Sequence, residues 1–463
     1  MPLVAGVDSS TQSVKVVIRD AESGNLVREG RAAHPAGTEA HPDSWWAALQ
    51  QAIAAAGGLA DVAAISIGGQ QHGMVALDKA GEVIRPALLW NDTRSAEAAV
   101  AINKEFADIA TRTGSALVAS FTGSKVRWLA DAEPENAAKV AAVCLPHDWL
   151  SWKLSGSKEL SDIFTDRSDA SGTGYFNSVK SEYDRGLFAA MLRSDTSVIL
   201  PKIIASNAWG ATTPAGIKIG AGAGDNAGAA FGLQAEPGDV IVSLGTSGTA
   251  FAVSNTSTHD ETGEVAGFAD VTGRYLPLVC MLNAARILDA ATQILGCTHD
   301  ELGDLALAAP AGAHGLTLLP YFEGERTPNR PDATGTLTGI TLENSNRNDI
   351  ARAYIEGMLC GLVDATNSLT SRGVAVNRIL LIGGAAKNPA IGEIAAALFG
   401  REVLIPPAGE YVANGAARQA AWALLGSESA PHWDLGEVKS VSAKPTPEVL
   451  ERYLQLKGRT TTW

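Results

Sequence analysis

The chain has 463 residues, 46% of them hydrophobic, more apolar material than one core holds, so at least two domains are expected. A net charge of -14 argues against a surface built to neutralise nucleic-acid phosphate or to sit on an anionic membrane, and favours small-molecule partners. The four cysteines, Cys144, Cys280, Cys297 and Cys360, form no CxxC pair and have no histidine at ligand spacing, which excludes a disulfide framework and a zinc site and predicts reduced core thiols.

Met1 leads straight into a short apolar strand, Leu3 to Val7, without a basic, long-apolar leader, so nothing directs the chain to secretion. Every candidate for the roughly 20-residue apolar run of a membrane helix is broken by Gly, Asp, Arg or Lys. A soluble, cytoplasmic protein is expected. The polar turn from Asp8 to Gln12 separates that first strand from a second, Val14 to Ile18, in the pattern of a hairpin. Trp45, Trp46, Leu49 and Ile53 recur at helical spacing between Asp43 and Ala56, after an Asp/Ser cap. Val62 to Ile67 forms a strand ending in Gly68-Gly69.

The hairpin pattern returns later in the chain: Val240 to Leu244 is a strand, Gly245 to Thr249 a polar turn, and Ala250 to Val253 begins another strand. Between Asn348 and Leu369 a helix carries Ile350, Tyr354, Met358 and Leu362 on one face, and Arg378 to Ile382 then runs into Gly383-Gly384. Two strand-plus-glycine units in the same order predict duplicated α/β halves, 1–235 and 236–463. Gly426 to Pro447 reads as a loop and Glu448 to Leu456 as a terminal helix.

Small residues let backbone N–H groups approach anionic oxygens, so the turns Asp8 to Thr11, Gly245 to Thr249 and Gly383 to Asn388 are candidate phosphate sites. Hydroxyls at Ser10, Thr11, Thr246, Ser247 and Thr249 add donors. No GxxxxGK[ST] run occurs, which excludes a P-loop enzyme. The stretch from Gly220 to Gly228 sets the Asp225 carboxylate in a glycine-lined bend, with room for a substrate whose hydroxyl proton it can accept; the same Asp can also cap a helix.

Gly222 to Ala227 formally matches the GxGxxG/A dinucleotide fingerprint, which raises an NAD-dependent oxidoreductase as a rival. Asp225 inside the fingerprint would set a negative charge beside the pyrophosphate. Gln71 and His72, at the end of a strand, carry donors and acceptors suited to sugar hydroxyls. The loops Trp90-Asn91-Asp92 and Leu319 to Pro328 are dense in functional side chains, and the second also reads as a Pro-bounded lid or hinge.

In order along the chain, Gly69-Gln70-Gln71-His72-Gly73, Leu89-Trp90-Asn91-Asp92, Ser120 to Leu129, Leu145-Pro146-His147-Asp148-Trp149-Leu150, Gly224-Asp225-Asn226-Ala227, Leu244 to Gly248, Gly324 to Pro328 and Ile382-Gly383-Gly384 resemble the FGGY family of carbohydrate kinases over nearly the whole chain. Within that family the resemblance is greatest to members acting on xylulose. It implies an α/β fold of two actin-like (ribonuclease H-like) domains around a deep interdomain cleft, with the sugar on the N-terminal domain and ATP on the C-terminal one.

The resemblance further implies Asp225 as proton acceptor, Gln71, His72 and Asn226 as sugar contacts, Thr246 at the ATP phosphates, Gly384 and Asn388 near the adenosine, and Asp8 positioning magnesium through water. Homodimers are common in the family, although no interface signal stands out here. Ser10 replaces the glycine of the family's Asp-x-Gly-Thr turn, and Gln71 stands where many xylulose-specific members have Met. D-xylulose is the expected sugar, ahead of ribulose, gluconate and glycerol. An ATP-binding sensor without turnover is the non-enzymatic rival, against which Asp8, His72, Asp225, Asn226 and Thr246 all stand at family positions.

Overall fold

The computed structural model describes residues 2–194 and 197–460. The chain folds as two compact units. The first gathers everything up to Ala235 with Asn255–Leu276 and Glu410–Asp434; the second gathers Glu236–Ser254, Pro277–Gly409 and the chain from Leu435 onward.

In the first unit β1 (Leu3–Ser9), β2 (Ser13–Asp20) and β3 (Leu26–Ala33) form an antiparallel meander. β4 (Val62–Gly69) lies parallel to β1 on its other side. Beyond it come the antiparallel edge strand β5 (Trp209–Thr212) and β6 (Lys218–Gly220), which pairs parallel with β4. The two-residue β7 (Ala223–Gly224) continues the parallel pairing at the far end of β4. The order β3-β2-β1-β4-β6 is the ribonuclease H-like arrangement implied by the resemblance.

Alternation along the strands sends Ala5, Val7, Val14, Val16, Ile65 and Ile67 to one face, where Trp45, Leu49, Trp149 and Leu150 cover them. Each fully buried Val or Ile among them contributes roughly 1.5–3 kcal/mol of transfer free energy. Val4, Val17 and Ala64 point to the opposite face, against Ala413, Ala417, Ala420 and Ala421 of the helix Tyr411–Leu425. This late segment joins the first unit because its small residues let it lie directly on the sheet. A Cβ on Gly6 would sit 2.0 Å from Ala413 O.

The second unit repeats the plan. β8 (Asp239–Leu244), β9 (Gly248–Ala252) and β10 (Tyr275–Met281) are successive antiparallel neighbours. β11 (Arg378–Ile382) lies parallel to β8, and β12 (Val403–Ile405) parallel to β11. The order β10-β9-β8-β11-β12 reproduces β3-β2-β1-β4-β6, so the hairpin and strand-Gly-Gly repeats correspond to the same strands in both halves.

Local details depart from the sequence expectation. The first helix is Pro42–Ala55, and His41 rather than an Asp/Ser pair caps it: its Nδ1 accepts from Asp43 N at 3.3 Å, with Pro42 at the first helical position. The expected loop from Gly426 to Pro447 contains a short strand, Lys439–Val441, antiparallel to β12. The two long late helices run over Arg347–Ser371 and Pro447–Arg459. Among the described residues no disulfide joins the four cysteines, and Cys144, Cys280 and Cys360 are buried. Among the described residues no helix is long and apolar enough to cross a membrane.

Candidate active site

The parallel strands of the first unit end together, which is where open α/β sheets present ligand sites. Asp8 on β1 stands in register with Gly68 on β4, and Gly68 with Ala223 on β7, so Asp225 begins its helix, Asp225–Gly232, at the end of β4, one strand over from Asp8. Asp225 is half-buried. Its Oδ1 accepts from the backbone N–H and the side-chain amide of Asn226, at 2.8 and 2.9 Å.

Removal from water pushes the Asp225 carboxyl up to about 7; the Asn226 N–H opposes the shift and the charge of Asp8 adds to it. Burial likewise raises Asp8 to about 6, opposed by Lys15, whose Nζ is 3.5 Å away, and assisted by Glu410. Among the described residues Asp8 Oδ1 has no hydrogen-bond partner. A buried, hard carboxylate oxygen left without a partner suits a divalent cation.

Gln71 and His72 sit just past β4 and are both buried. Gln71 Nε2 donates to Ser168 O at 3.1 Å, and a Cβ on Gly224 would come within 2.7 Å of that amide. The glycine before Asp225 is therefore required by the Gln71 side chain lying against it. His72 has φ 71, a left-handed conformation that costs a non-glycine residue on the order of 1 kcal/mol or more and needs surrounding support. That support comes from Lys125 Nζ and Thr122 Oγ1, which donate to His72 O at 3.0 and 3.2 Å. The imidazole bonds through Nδ1 to Gly172 O at 2.6 Å and packs beside Phe121 and Phe268, ring centroids 4.9 and 5.6 Å away.

Thr11, expected at the nucleotide, accepts from Trp90 Nε1 at 2.8 Å. Asp92 is tied to Thr38 and Arg94, so the Trp90–Asp92 loop braces the hairpin turn. The stretch matching the dinucleotide fingerprint has another origin. Gly222 has φ 86, and a Cβ there would lie 2.6 Å from the His147 ring. Glycine is needed at that point for the tight bend between β6 and β7.

In the second unit the turn after β8 and the turn after β11 are neighbours, because Ser243 pairs with Ile382. Thr246 is exposed at the first turn and Gly384 at the second; a Cβ on Gly384 would meet nothing within 4 Å. Gly383, with φ 101, lies so close to β8 that a Cβ would be 2.4 Å from Leu244 O. The Asn388 side chain caps the helix Pro389–Phe399, accepting from Ala390 N at 3.0 Å, and its Nδ2 donates to His299 O at 2.8 Å. Its side chain thus shapes the turn beyond Gly384. The Leu319–Pro328 loop is anchored by buried Glu325, which accepts from Leu282 N at 2.7 Å and Asn283 Nδ2 at 3.0 Å.

Two groups escaped the sequence reading. Gln419, on the helix Tyr411–Leu425, bonds both backbone groups of Gly222. Beneath the site, fully buried His147 is surrounded by Asp169, Asp148 and Asp166, whose nearest oxygens are 3.1, 3.4 and 3.6 Å from Nε2. The Leu145–Leu150 segment signalled the family, yet nothing in its local sequence shows that His147 meets carboxylates from the 166–169 turn.

The model of the FGGY family of carbohydrate kinases matches in two parts, its N-terminal domain over residues 3–232 and its C-terminal domain over residues 240–424. Xylulose kinase of Streptomyces coelicolor is 40% identical over 97% of this chain and 93% of its own. The crystal structure of xylulose kinase from Bifidobacterium adolescentis superposes with a TM-score of 0.92 at 47% identity, covering 99% of both chains. Plasmodium falciparum glycerol kinase, crystallised with ADP, shares the fold at 20% identity and a TM-score of 0.87 over 100% of this chain and 99% of its own. With both domain models matched in order, a nearly full-length relative and the duplicated sheet, the chain belongs to the FGGY family of carbohydrate kinases.

Proposed function

We propose that the enzyme transfers the γ-phosphoryl group of ATP to the terminal C5 hydroxyl of D-xylulose, with Asp225 as the proton acceptor. The sugar oxygen bonds to the γ-phosphorus as the bond to the β,γ-bridging oxygen breaks; the hydroxyl proton passes to the Asp225 carboxylate, and ADP leaves. The observation carrying this reading is the Asp225 carboxyl, held by Asn226 at a glycine-lined strand end and raised to about 7. A base titrating near the working pH is available in its ionised form and still basic enough to take the proton. The xylulose kinases that match at 40% and 47% identity support the choice of sugar.

Gln71, His72 and Asn226 hold and orient the sugar. Thr246 and Thr11 serve the phosphate end of ATP, and Gly384 with the turn shaped by Asn388 receives the adenosine. Asp8, whose Oδ1 has no hydrogen-bond partner among the described residues, would hold magnesium, which when bound would supply positive charge to the ATP phosphates. Phosphoryl transfer depends mainly on alignment and electrostatics, so the chain's task is to fix the sugar hydroxyl between base and phosphate while keeping water out. The N-terminal unit carries the sugar and base, the C-terminal unit the nucleotide, and the reaction takes place in the cytoplasm.

The test is ADP release from MgATP with xylulose, ribulose, gluconate, glycerol or no sugar, with Asp225→Ala alongside. Xylulose-dependent release abolished by the substitution is the expected result. Preference for another sugar overturns the substrate, and near-normal turnover by Asp225→Ala overturns the base.

A further inference from the structure

His147 takes no part in the proposed transfer, yet it is completely buried with three carboxylates around one ring nitrogen. Charge so far from water persists only where opposite charge compensates it. Burial opposes the imidazolium, but Asp148, Asp169 and Asp166 outweigh it and raise His147 to about 9, so the ring is a cation at neutral pH. Even with this cation present, burial pushes the Asp148 carboxyl up to about 6 and raises Asp169 as well.

Two of the three carboxylates also organise backbone. Asp148 Oδ2 accepts from Leu145 N at 2.7 Å; Asp166 accepts from Ser168 N at 2.7 Å and Asp169 N at 3.0 Å. The turn built in this way presents three groups upward. Ser168 O receives the Gln71 amide, Ser168 Oγ accepts from Gly224 N at 3.1 Å, and Gly172 O meets the His72 ring. The candidate sugar contacts and the junction before Asp225 therefore rest on one turn whose underside carries the buried charge.

We propose that His147 is a positioning residue acting as a buried cation, which by gathering Asp148, Asp166 and Asp169 fixes the 166–172 turn against Gln71, His72 and the Gly224–Asp225 junction. The inference rests on Gln71 and His72 being the sugar contacts. Without the cation, Asp148, Asp166 and Asp169 lose the group they surround and must repel one another or take up protons; either change displaces the turn, and the sugar end of the reaction suffers while the nucleotide end does not. A second cation of similar reach, lysine, restores the arrangement; an uncharged amide does not.

The experiment compares wild type, His147→Gln and His147→Lys by steady-state kinetics in sugar and in ATP, using whichever sugar the wild type phosphorylates, with melting temperature and metal content after dialysis against EDTA. His147→Gln should lower kcat/KM for the sugar at least tenfold with KM for ATP within twofold, and His147→Lys should recover at least a third of the wild-type value. Unchanged sugar kinetics in His147→Gln, a parallel rise in KM for ATP, or a lysine variant no better than glutamine would overturn the proposal. So would a stoichiometric metal ion in wild type that His147→Lys loses, since the ring would then be a ligand. Should His147→Gln not accumulate as folded protein, His147→Lys decides alone: it must fold and turn over. A wild-type preference for a sugar other than xylulose overturns the substrate reading and leaves this comparison intact.

Discussion

Gln419 accepts from the N–H of Gly222 at 2.9 Å and donates to its carbonyl at 2.8 Å, joining positions 197 residues apart. Ser66 on β4 shares the contact, donating to Gln419 Oε1 while its hydroxyl also receives Gly222 N at 3.2 Å. The bend between β6 and β7 is thus held from the helix that covers the sheet, three residues before Asp225. Gln419→Leu leaves the Gly222 carbonyl and the Ser66 hydroxyl proton without their amide partner in a buried site, while Gly222 N keeps Ser66, at a cost of about 1–3 kcal/mol per unsatisfied group. Urea unfolding should show a loss of about 2–4 kcal/mol, with a reduced kcat in the protein that remains folded.

Asp225→Ala should lower kcat by about a hundredfold to ten-thousandfold, the usual contribution of a positioned base, with sugar binding measured by calorimetry retained. Loss of binding equal to the loss of turnover would assign Asp225 to substrate affinity instead.

The same group makes a pH prediction in two senses. Because Asp225 titrates near 7, kcat/KM for the sugar should rise with pH along an acid limb centred near neutrality, and Asp8→Asn should move the limb of the residual activity to lower pH by removing the charge that helps raise it. For stability the sign is opposite. The folded carboxyl holds its proton more tightly than the unfolded one, whose value is 3.8, so ionisation costs stability as pH rises from about 4 to above 7. Asp225→Asn should therefore raise the melting temperature more at pH 8, where the cost reaches at most about 4 kcal/mol, than at pH 5, where it is less than half that. An equal gain at both values would show that the carboxyl is not raised.

Gly224→Ala drives a methyl to within 2.7 Å of the Gln71 amide. KM for the sugar should increase at least tenfold while the melting temperature drops by a few degrees, and Gln71→Ala in the same chain should return part of the stability by opening space.

In the second unit, Gly383→Ala meets both an unfavourable φ of 101 and the Leu244 carbonyl 2.4 Å from the new carbon. It should cost at least about 2 kcal/mol, whereas Gly384→Ala, with open space around its Cα, should leave stability nearly unchanged and alter KM for ATP. Comparable destabilisation by both would contradict the close approach of the two turns.

Much of this was legible along the chain. The hairpin of Leu3–Ser9 and Ser13–Asp20, the later hairpin of Asp239–Leu244 and Gly248–Ala252, and the strands ending at Gly69 and Ile382 follow from apolar periodicity interrupted by turn residues, and both are local properties. Asp225 was legible because small residues surround it in sequence. Gln71 and His72 were legible from their chemistry at a strand end, but the left-handed backbone of His72 was not, since it is imposed by Lys125 and Thr122 from another helix.

The sequence by itself determined the duplicated α/β plan, the glycine-lined turns and the setting of Asp225 among small residues, because periodicity, turn chemistry and side-chain type act over a few neighbouring residues. Only the tertiary structure decided that Tyr411–Leu425 returns to the first sheet, that Gln419 clamps Gly222, and that His147 lies among Asp148, Asp166 and Asp169. Those contacts depend on burial: a helix of small residues reaches the sheet closely enough to bond its backbone, and a cation excluded from water gathers carboxylates from wherever the chain can bring them.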